Sequence, residues 1–185
     1  MTVPTFQCGD VVEECGQSRL SRLIAWATRG WHEAKTVCTH VGRMVTATDV
    51  AEAGLRFVVR PLDTARRIRV WRYEPGFSQV EVKCMRGKAD YYKGRKYGWW
   101  KLIPHLLDGL LEKALPFRHV YLFRRLLFLK RYPMCVWEFA WTFWECVGLL
   151  FGASPRFVTP DCISDFLATS PSWVCIFDNV TQEAA

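Results

Sequence analysis

The sequence predicts an α+β fold in which a small antiparallel sheet or half-barrel packs on a central helix. Short segments between residues 10 and 73 alternate apolar and polar side chains, which is typical of strands. A longer apolar segment, residues 134–149, has the length of a helix. With 185 residues, 50% of them hydrophobic, the chain can bury one core and is predicted to form a single domain over 1–185.

The first half of the chain is predicted to consist of short strands around one helix. In order, these are a strand at 10–14, a helix at 18–28 capped by Ser18, a strand at 37–45, a turn at 46–49, and one or two strands at 50–59 broken at Gly54. Residues 68–73 continue the alternation, and Pro75-Gly76 marks a turn. Residues 79–83 alternate in the same way or begin a helix.

The second half is predicted to be mainly helical. Residues 102–115 and 119–130 form a helical insertion at about 102–131, and residues 134–149 form the central helix of the domain. Pro133 precedes the central helix, and the Gly148 and Gly152 region ends it. Glu138 and Glu145 make this segment a poor membrane span, because buried carboxylates are costly in a bilayer.

Charge and cysteine content narrow the class of protein without assigning a function. The formal net charge is +7, without the concentrated Lys/Arg blocks of a nucleic-acid-binding arm, so no nucleic-acid partner is expected. The eight cysteines are spread along a chain large enough to fold without disulfides, so most are expected to be reduced. Residues 1–10 do not resemble a secretion signal, and a cytoplasmic location as synthesised is therefore expected.

No cofactor or metal is predicted. The sequence contains no CxxC pair, and its four histidines show no HxxxH or HExxH spacing. No glycine segment continues into the GK[ST] of a phosphate-binding loop. Aromatic and basic residues mix between 88 and 101, where Tyr97 and Trp99 are weak candidates for a substrate-binding rim; the alternative is that these aromatics cover the edge of the core.

Cys135 is the candidate nucleophile because it lies in the first turn of the central helix. Backbone N–H groups at a helix N-terminus carry partial positive charge, which favours the thiolate, and the thiolate is the nucleophilic form of cysteine. Cys146, further along the same helix, is expected to pack in the core, and Cys162 and Cys175 are expected in a loop-rich tail. The alternative for Cys135 is a structural role in a hydrophobic helix.

His40 is the candidate base, and Glu52 its candidate orienting carboxylate. His40 begins a predicted strand and shares a face with Gly42, which leaves room for a partner. If the strands around Thr46 pair as a tight hairpin centred there, position 40 lies opposite position 52. A carboxylate there would orient the imidazole and stabilise its protonated form. The alternative is a core-edge histidine beside a surface carboxylate.

Several segments, in order, resemble the circularly permuted papain-like hydrolases, the YiiX/YaeF and poxvirus-type relatives of the NlpC peptidases. They are Gly9-Asp10-Val-Val, Ser18-Arg-Leu-Ser-Arg-Leu-Ile with Thr28, Thr39-His40-Val41-Gly42, Glu52-Ala53-Gly54-Leu55, Gly94-Arg-Lys-Tyr97-Gly98-Trp99, Tyr132-Pro-Met-Cys135 and Val158-Thr159-Pro160-Asp161. The resemblance covers most of the chain. It implies a permuted papain-like (NlpC-type) fold whose central helix bears the nucleophilic cysteine.

The resemblance implies a thiol hydrolase, a cysteine peptidase or amidase. Position by position, it implies Cys135 as nucleophile, His40 as base and Glu52 as orienting residue, with Asp49 as an alternative to Glu52. The mechanism would pass through a thioester acyl-enzyme, with the Cys135 backbone N–H in the oxyanion hole and Gln17 as a weak second candidate.

Three functions remain open from the sequence. The first is cleavage of amide bonds, with peptidoglycan stem peptides as the implied substrate and an anionic wall or membrane suited to the basic charge. The second is a lipid acyltransferase or thioesterase with the same triad. The third is a catalytically weak wall-binding protein, or a phage or bacterial structural protein, because Val136 and Trp137 follow Cys135 where the family usually has Ser and Glu.

Overall fold

The computed structural model describes residues 4–16, 40–53, 56–96, 103, 107–108, 110–111, 135–155 and 158–180. Within these residues the fold is α+β, with six strands and three helices whose first and last residues are described. In chain order these are β1 (Val11–Glu14), β2 (His40–Met44), β3 (Asp49–Ala53), β4 (Phe57–Pro61), β5 (Ile68–Tyr73), α1 (Gln79–Tyr92), α2 (Cys135–Val147), α3 (Pro160–Thr169) and β6 (Trp173–Asp178).

The six strands form one antiparallel sheet in the order β4-β3-β2-β1-β5-β6. β1 therefore lies near the centre, pairing with β2 on one side and β5 on the other. The β2–β3 turn is closed by its own side chains, because Thr46 Oγ1 donates to Asp49 Oδ2 (2.7 Å) and accepts from the Asp49 backbone N–H (2.9 Å). Asp49 is thereby used in the turn.

Local signals in the sequence set the helix ends. Ser78 and Glu81 form a capping box at the start of α1, and the Thr159 hydroxyl accepts from the Cys162 N–H at the start of α3. Gly148 ends α2 with a φ of 75°, a conformation that glycine adopts without steric cost. Residues 79–83 begin a helix, so the helical alternative for this segment is correct.

The pleat of the sheet separates two hydrophobic clusters. One cluster joins the sheet to the helices and includes Val11, Val41, Ala51, Phe57, Met85, Phe139, Phe143 and Leu167. The other lies on the opposite face and includes Phe6, Val12, Met44, Val50, Ile68 and Val70. Successive residues of β1, β2 and β3 therefore alternate between the helix-covered face and the second face.

A buried ion pair fixes α2 on the helix-covered face. Arg43 of β2 is fully buried and donates through Nη1 to both carboxylate oxygens of Glu138, at 2.7 and 3.0 Å. Its Nη2 also donates to the backbone oxygen of Met85 in α1 (3.4 Å). Burial raises the pKa of Glu138, while Arg43 and a hydrogen bond from Thr142 act in the opposite direction. One arginine thus ties a strand to two helices.

Two expectations about the cysteines are wrong. Cys84 of α1 and Cys146 of α2 form a disulfide, and Cys15 is also disulfide-bonded, so the expectation that most cysteines are reduced does not hold for these three. Such bonds persist in oxidising surroundings. Cys162 and Cys175 lie in α3 and β6 rather than in a loop-rich tail. Cys8, Cys162 and Cys175 carry thiols.

Other predicted elements agree with the structure where it describes them. The predicted strands at 10–14, 37–45 and 68–73 contain β1, β2 and β5. The predicted strands at 50–59 overlap β3 and β4, which begin one residue earlier and end two residues later, and the central helix spans 135–147. The helix at 18–28 lies outside the described residues, as does most of the insertion at about 102–131. Its described residues, 103, 107, 108, 110 and 111, are helical.

Replacing Arg43 by Met is expected to lower the free energy of unfolding by about 3–5 kcal/mol, because it leaves the Glu138 carboxylate buried without its partner. The double variant Arg43→Met/Glu138→Leu should lose less than the sum of the single variants. The matched control is Arg66→Met, whose exposed pair with Glu14 should contribute about 0–1 kcal/mol. Urea unfolding at neutral pH measures all four; additive losses would contradict the coupling.

Replacing Cys84 and Cys146 by Ser is expected to lower the free energy of unfolding by about 3–4 kcal/mol, since the disulfide closes a loop with a sequence separation of 62 in the unfolded chain. Cys175→Ser, which removes an exposed thiol, is the control and should change stability by less than about 0.5 kcal/mol. Urea unfolding without reductant makes the comparison. A double variant as stable as the control would show that the bond is absent.

Candidate active site

His40 begins β2 and lies on the second face of the sheet. Its side chain shares that face with Gly42 and Met44, while Val41 and Arg43 point to the helix-covered face. The predicted hairpin register is wrong by two residues. Arg43 pairs with Ala51 and Met44 with Val50, so the same register continued along the strands brings Gly42, not His40, opposite Glu52. A shift of two residues preserves the face, so both side chains still lie on one side.

The absence of a side chain at Gly42 makes room between His40 and Glu52. A Cβ at this position would lie 3.0 Å from both the Ala51 backbone oxygen and Val50 Cγ2, and 3.4 Å from the Glu52 Cβ. A larger residue would therefore push against β3 directly opposite Glu52. With glycine there, His40 Nε2 lies 3.5 Å from Glu52 Oε2 across the strands.

Glu52 is held as a carboxylate between Arg60 and His40. Its Oε1 accepts from Arg60 Nε on β4 at 2.6 Å, and its Oε2 faces His40. Burial by itself would raise the pKa of Glu52, but hydrogen bonds and charges from His40 and Arg60 outweigh it and lower the pKa to about 2. The carboxylate is thus ionised at neutral pH and can stabilise a proton that the imidazole beside it takes up.

The surroundings of this pair form a shallow pocket with charges of both signs. Glu14 of β1 lies opposite His40 in the sheet register and accepts from Arg66 Nη1 at 3.1 and 3.3 Å. Asp63 also lies on the rim, 3.5 Å from Arg66 Nε. Val12, Val50, Leu62 and Ile68 form the apolar floor. The pocket is therefore polar at its edge and close to neutral overall.

Cys135 is the first residue of α2, and the structure describes its backbone only. The helix packs on Val41 and Arg43, the face of the sheet opposite to the His40 and Glu52 side chains. The structure therefore brings His40 and Glu52 together and leaves their approach to Cys135 undescribed. Gln17, Tyr97 and Trp99 also lie outside the described residues.

The sequence analysis missed Arg60, which holds Glu52. The pairing of β3 with β4 places Arg60 opposite Val50, two residues from Glu52, so it reaches Glu52 diagonally across the strands. The only sequence signal is an arginine on the next strand at a position that faces the same side of the sheet as Glu52. Asp49, the alternative to Glu52, accepts hydrogen bonds from Thr46 and Thr48 in the turn instead.

Within the described part of the chain, no three His, Cys, Asp or Glu side chains are grouped closely enough to hold a metal ion. Nor does any helix of that part combine the length and the apolar character that a bilayer span requires.

The overall fold is that of a solved bacterial protein. The chain superimposes on the crystal structure of metalloprotein yiiX from Escherichia coli O157:H7 with a TM-score of 0.62, covering 95% of this chain and 99% of that one at 16% sequence identity. The expected likeness to a YiiX-type fold is therefore confirmed at the level of fold. No protein-family model matches the sequence, and no curated protein matches it significantly. The description of that structure as a metalloprotein applies to yiiX alone.

In a carboxyl-resolved NMR titration, Glu52 is expected to titrate at about pH 2, well below its ordinary 4.5. Arg60→Gln should move that midpoint upward towards 4.5, because it removes one hydrogen bond and one charge from the carboxylate. The control is Arg56→Gln, whose guanidinium donates to the Gly94 oxygen and not to Glu52. A wild-type Glu52 that titrates near 4.5 would contradict the arrangement.

The lowered pKa has a consequence for stability. Because the folded-state pKa lies below the unfolded-state value, Glu52 contributes stability that is fully present above about pH 4.5 and lost as the pH falls towards 2. The difference in unfolding free energy between wild type and Glu52→Gln should therefore shrink across that interval.

Proposed function

We propose that this protein is a thiol hydrolase, a cysteine peptidase or amidase of the permuted papain-like class, with Cys135 as nucleophile, His40 as base and Glu52 as orienting carboxylate. The observation that carries the proposal is the ionised Glu52 carboxylate 3.5 Å from His40 Nε2. An imidazole beside a permanently ionised carboxylate is a stronger base and is stabilised once it has taken up a proton. The YiiX-type fold supports the assignment at the level of architecture.

In the proposed reaction, His40 takes the proton of the Cys135 thiol, and the thiolate attacks the carbonyl carbon of an amide. The oxyanion accepts a hydrogen bond from the Cys135 backbone N–H, with Gln17 as the second candidate donor. Collapse of the intermediate breaks the C–N bond, and the leaving amine takes the proton from His40. Water, deprotonated by His40, then hydrolyses the thioester and restores the thiol.

The proposed triad requires the Cys135 sulfur to reach His40 at the end of the sheet. His40 is the first residue of β2 and Cys135 the first residue of α2, while their elements meet through the opposite face at Arg43 and Glu138. The sulfur must therefore approach the imidazole around the end of β2. The first-turn N–H groups of α2 favour the thiolate whichever side it approaches from.

Peptide amides, including those of peptidoglycan stem peptides, are the proposed substrates. The pocket beside His40 has carboxylates and guanidinium groups at its edge, which suits a substrate that carries both charged and apolar groups. The net charge of +7 is compatible with an anionic polymer as the wider target.

One observation favours a second candidate, a binding protein without efficient catalysis. α2 contacts the face of β2 that does not carry His40, and Val136 is buried against the core at the position after Cys135. If the sulfur does not reach His40, the pocket remains a binding site lined by paired charges. The same experiment separates the two functions.

Thiol labelling with a haloacetamide at neutral pH, without reductant so that the disulfides stay closed, is expected to modify Cys135 first. Desolvation raises the pKa of the Cys8 thiol, and desolvation together with the Asp178 carboxylate raises the pKa of the exposed Cys175 thiol, so both should carry little thiolate and react slowly. His40→Ala should slow labelling of Cys135 by at least about tenfold, since the base contributes this much or more in such pairs. Peptide mapping identifies the labelled cysteine.

Cys175→Ser is the matched control and should leave the fast labelling rate unchanged. Two results would refute the hydrolase: Cys135 reacts no faster than Cys162, or it reacts at the same rate in His40→Ala as in wild type. Either result would favour the binding protein as the function. Incubation with muropeptides and, in parallel, with short-chain lipid esters then distinguishes an amidase from a lipid acyltransferase or thioesterase.

A further inference from the structure

The positive charge of the chain is concentrated in one segment, residues 88–131, here called the basic segment. It contains eleven of the 25 Lys and Arg residues but only three of the 18 Asp and Glu residues. The rest of the chain has fourteen basic and fifteen acidic residues and is close to neutral. The basic excess is therefore a local property, and it does not arise from the candidate active site.

The same segment exposes apolar side chains in a helix. Ile103, Leu107 and Leu110 are 56%, 37% and 43% exposed, and residues 103, 107 and 110 are helical. At the 100° per residue of an α-helix, spacings of four and three residues place side chains within about 60° of one another. These three exposed residues are here called the apolar stripe. Asp108, which is also helical, is fully buried. Among these described residues the carboxylate is buried and the apolar side chains are exposed, the reverse of the pattern of an ordinary amphipathic helix.

Exposed aromatic and basic side chains precede the stripe in the same segment. Tyr91 is 58% exposed, with the Arg95 guanidinium 3.7 Å from the centre of its ring, and Lys93 and Lys96 are exposed. Tyrosine with an apolar ring and a polar tip, flanked by long basic side chains, suits the boundary between hydrocarbon and water.

We infer that the basic segment docks on an anionic lipid bilayer, with the apolar stripe inserted among the headgroups and the exposed Lys93 and Lys96 bound to lipid phosphates. Each feature matches one part of such a surface: the stripe needs hydrocarbon, and the charge excess needs anions. A nucleic acid or an anionic wall polymer would satisfy the charge and leave the stripe in water. A second copy of the chain would cover the stripe but would bring two basic segments into contact.

Cosedimentation with vesicles tests the inference on the full-length protein. Vesicles of mixed phosphatidylglycerol and phosphatidylcholine are expected to bind the protein, and vesicles of phosphatidylcholine alone are not. Binding should weaken as salt is added, because exposed charge attraction is screened. The triple variant Ile103→Ser/Leu107→Ser/Leu110→Ser should bind the anionic vesicles at least about tenfold more weakly.

Two further variants keep the test decisive. Val80→Ser removes an exposed apolar residue from α1, outside the basic segment, and should bind like wild type. The double variant Lys93→Gln/Lys96→Gln retains the stripe and should weaken binding by about fivefold per lysine. Near-UV circular dichroism shows whether the triple variant folds, and the double variant replaces it in the test if it does not.

Three outcomes would overturn the inference. They are equal binding to anionic and neutral vesicles, a folded triple variant that binds like wild type, and a wild-type dimer that the triple variant abolishes while neither binds vesicles. The last would assign the stripe to a second copy. None of these results depends on Cys135 or His40, so they do not bear on the hydrolase.

Discussion

The arrangement of this fold depends on the buried pair of Arg43 and Glu138. Removing two charges from water is costly. Arg43 Nη1 donates to both Glu138 oxygens, and hydrogen bonds from Thr142 to Glu138 and from Arg43 Nη2 to the Met85 oxygen offset part of this cost, while Arg43 Nε has no hydrogen-bond partner among the described residues. Because these contacts are directional, they oppose sliding of α2 along the sheet more strongly than aromatic packing does. The pair thereby holds on the sheet the helix whose first residue is Cys135.

The same strand serves the core and the candidate active site. In β2, Val41 and Arg43 hold the helices, while His40 and Gly42 face the pocket, so neither set can change register without the other. A slip of one residue would bury His40 among aromatic rings and expose Arg43. The buried ion pair therefore also protects the placement of the histidine, although it touches no group in the pocket.

The sequence predicts more of the elements than of their pairing. Alternation locates β1 to β5, and Gly148 locates the end of α2, because these signals are local. The β2–β3 register could not be predicted, since the Thr46 and Asp49 side chains close a longer turn than a tight hairpin, and a shift of two leaves the faces unchanged. The bond between Cys84 and Cys146 depends on α1 packing beside α2, which no short-range pattern encodes.

The excess of positive charge lies in one segment of the chain and not around the candidate active site, so it bears on where the protein binds rather than on how the pocket selects a substrate. Around His40, the guanidinium groups of Arg60 and Arg66 are each matched by a carboxylate, so the pocket discriminates by pairing and shape rather than by net charge. The excess lies in the basic segment, whose apolar stripe an anionic wall polymer cannot cover. A bilayer can, because only it offers anions and hydrocarbon within one side-chain length. The segment that locates the protein and the pocket that selects its substrate are thus different parts of the chain, with separable electrostatics.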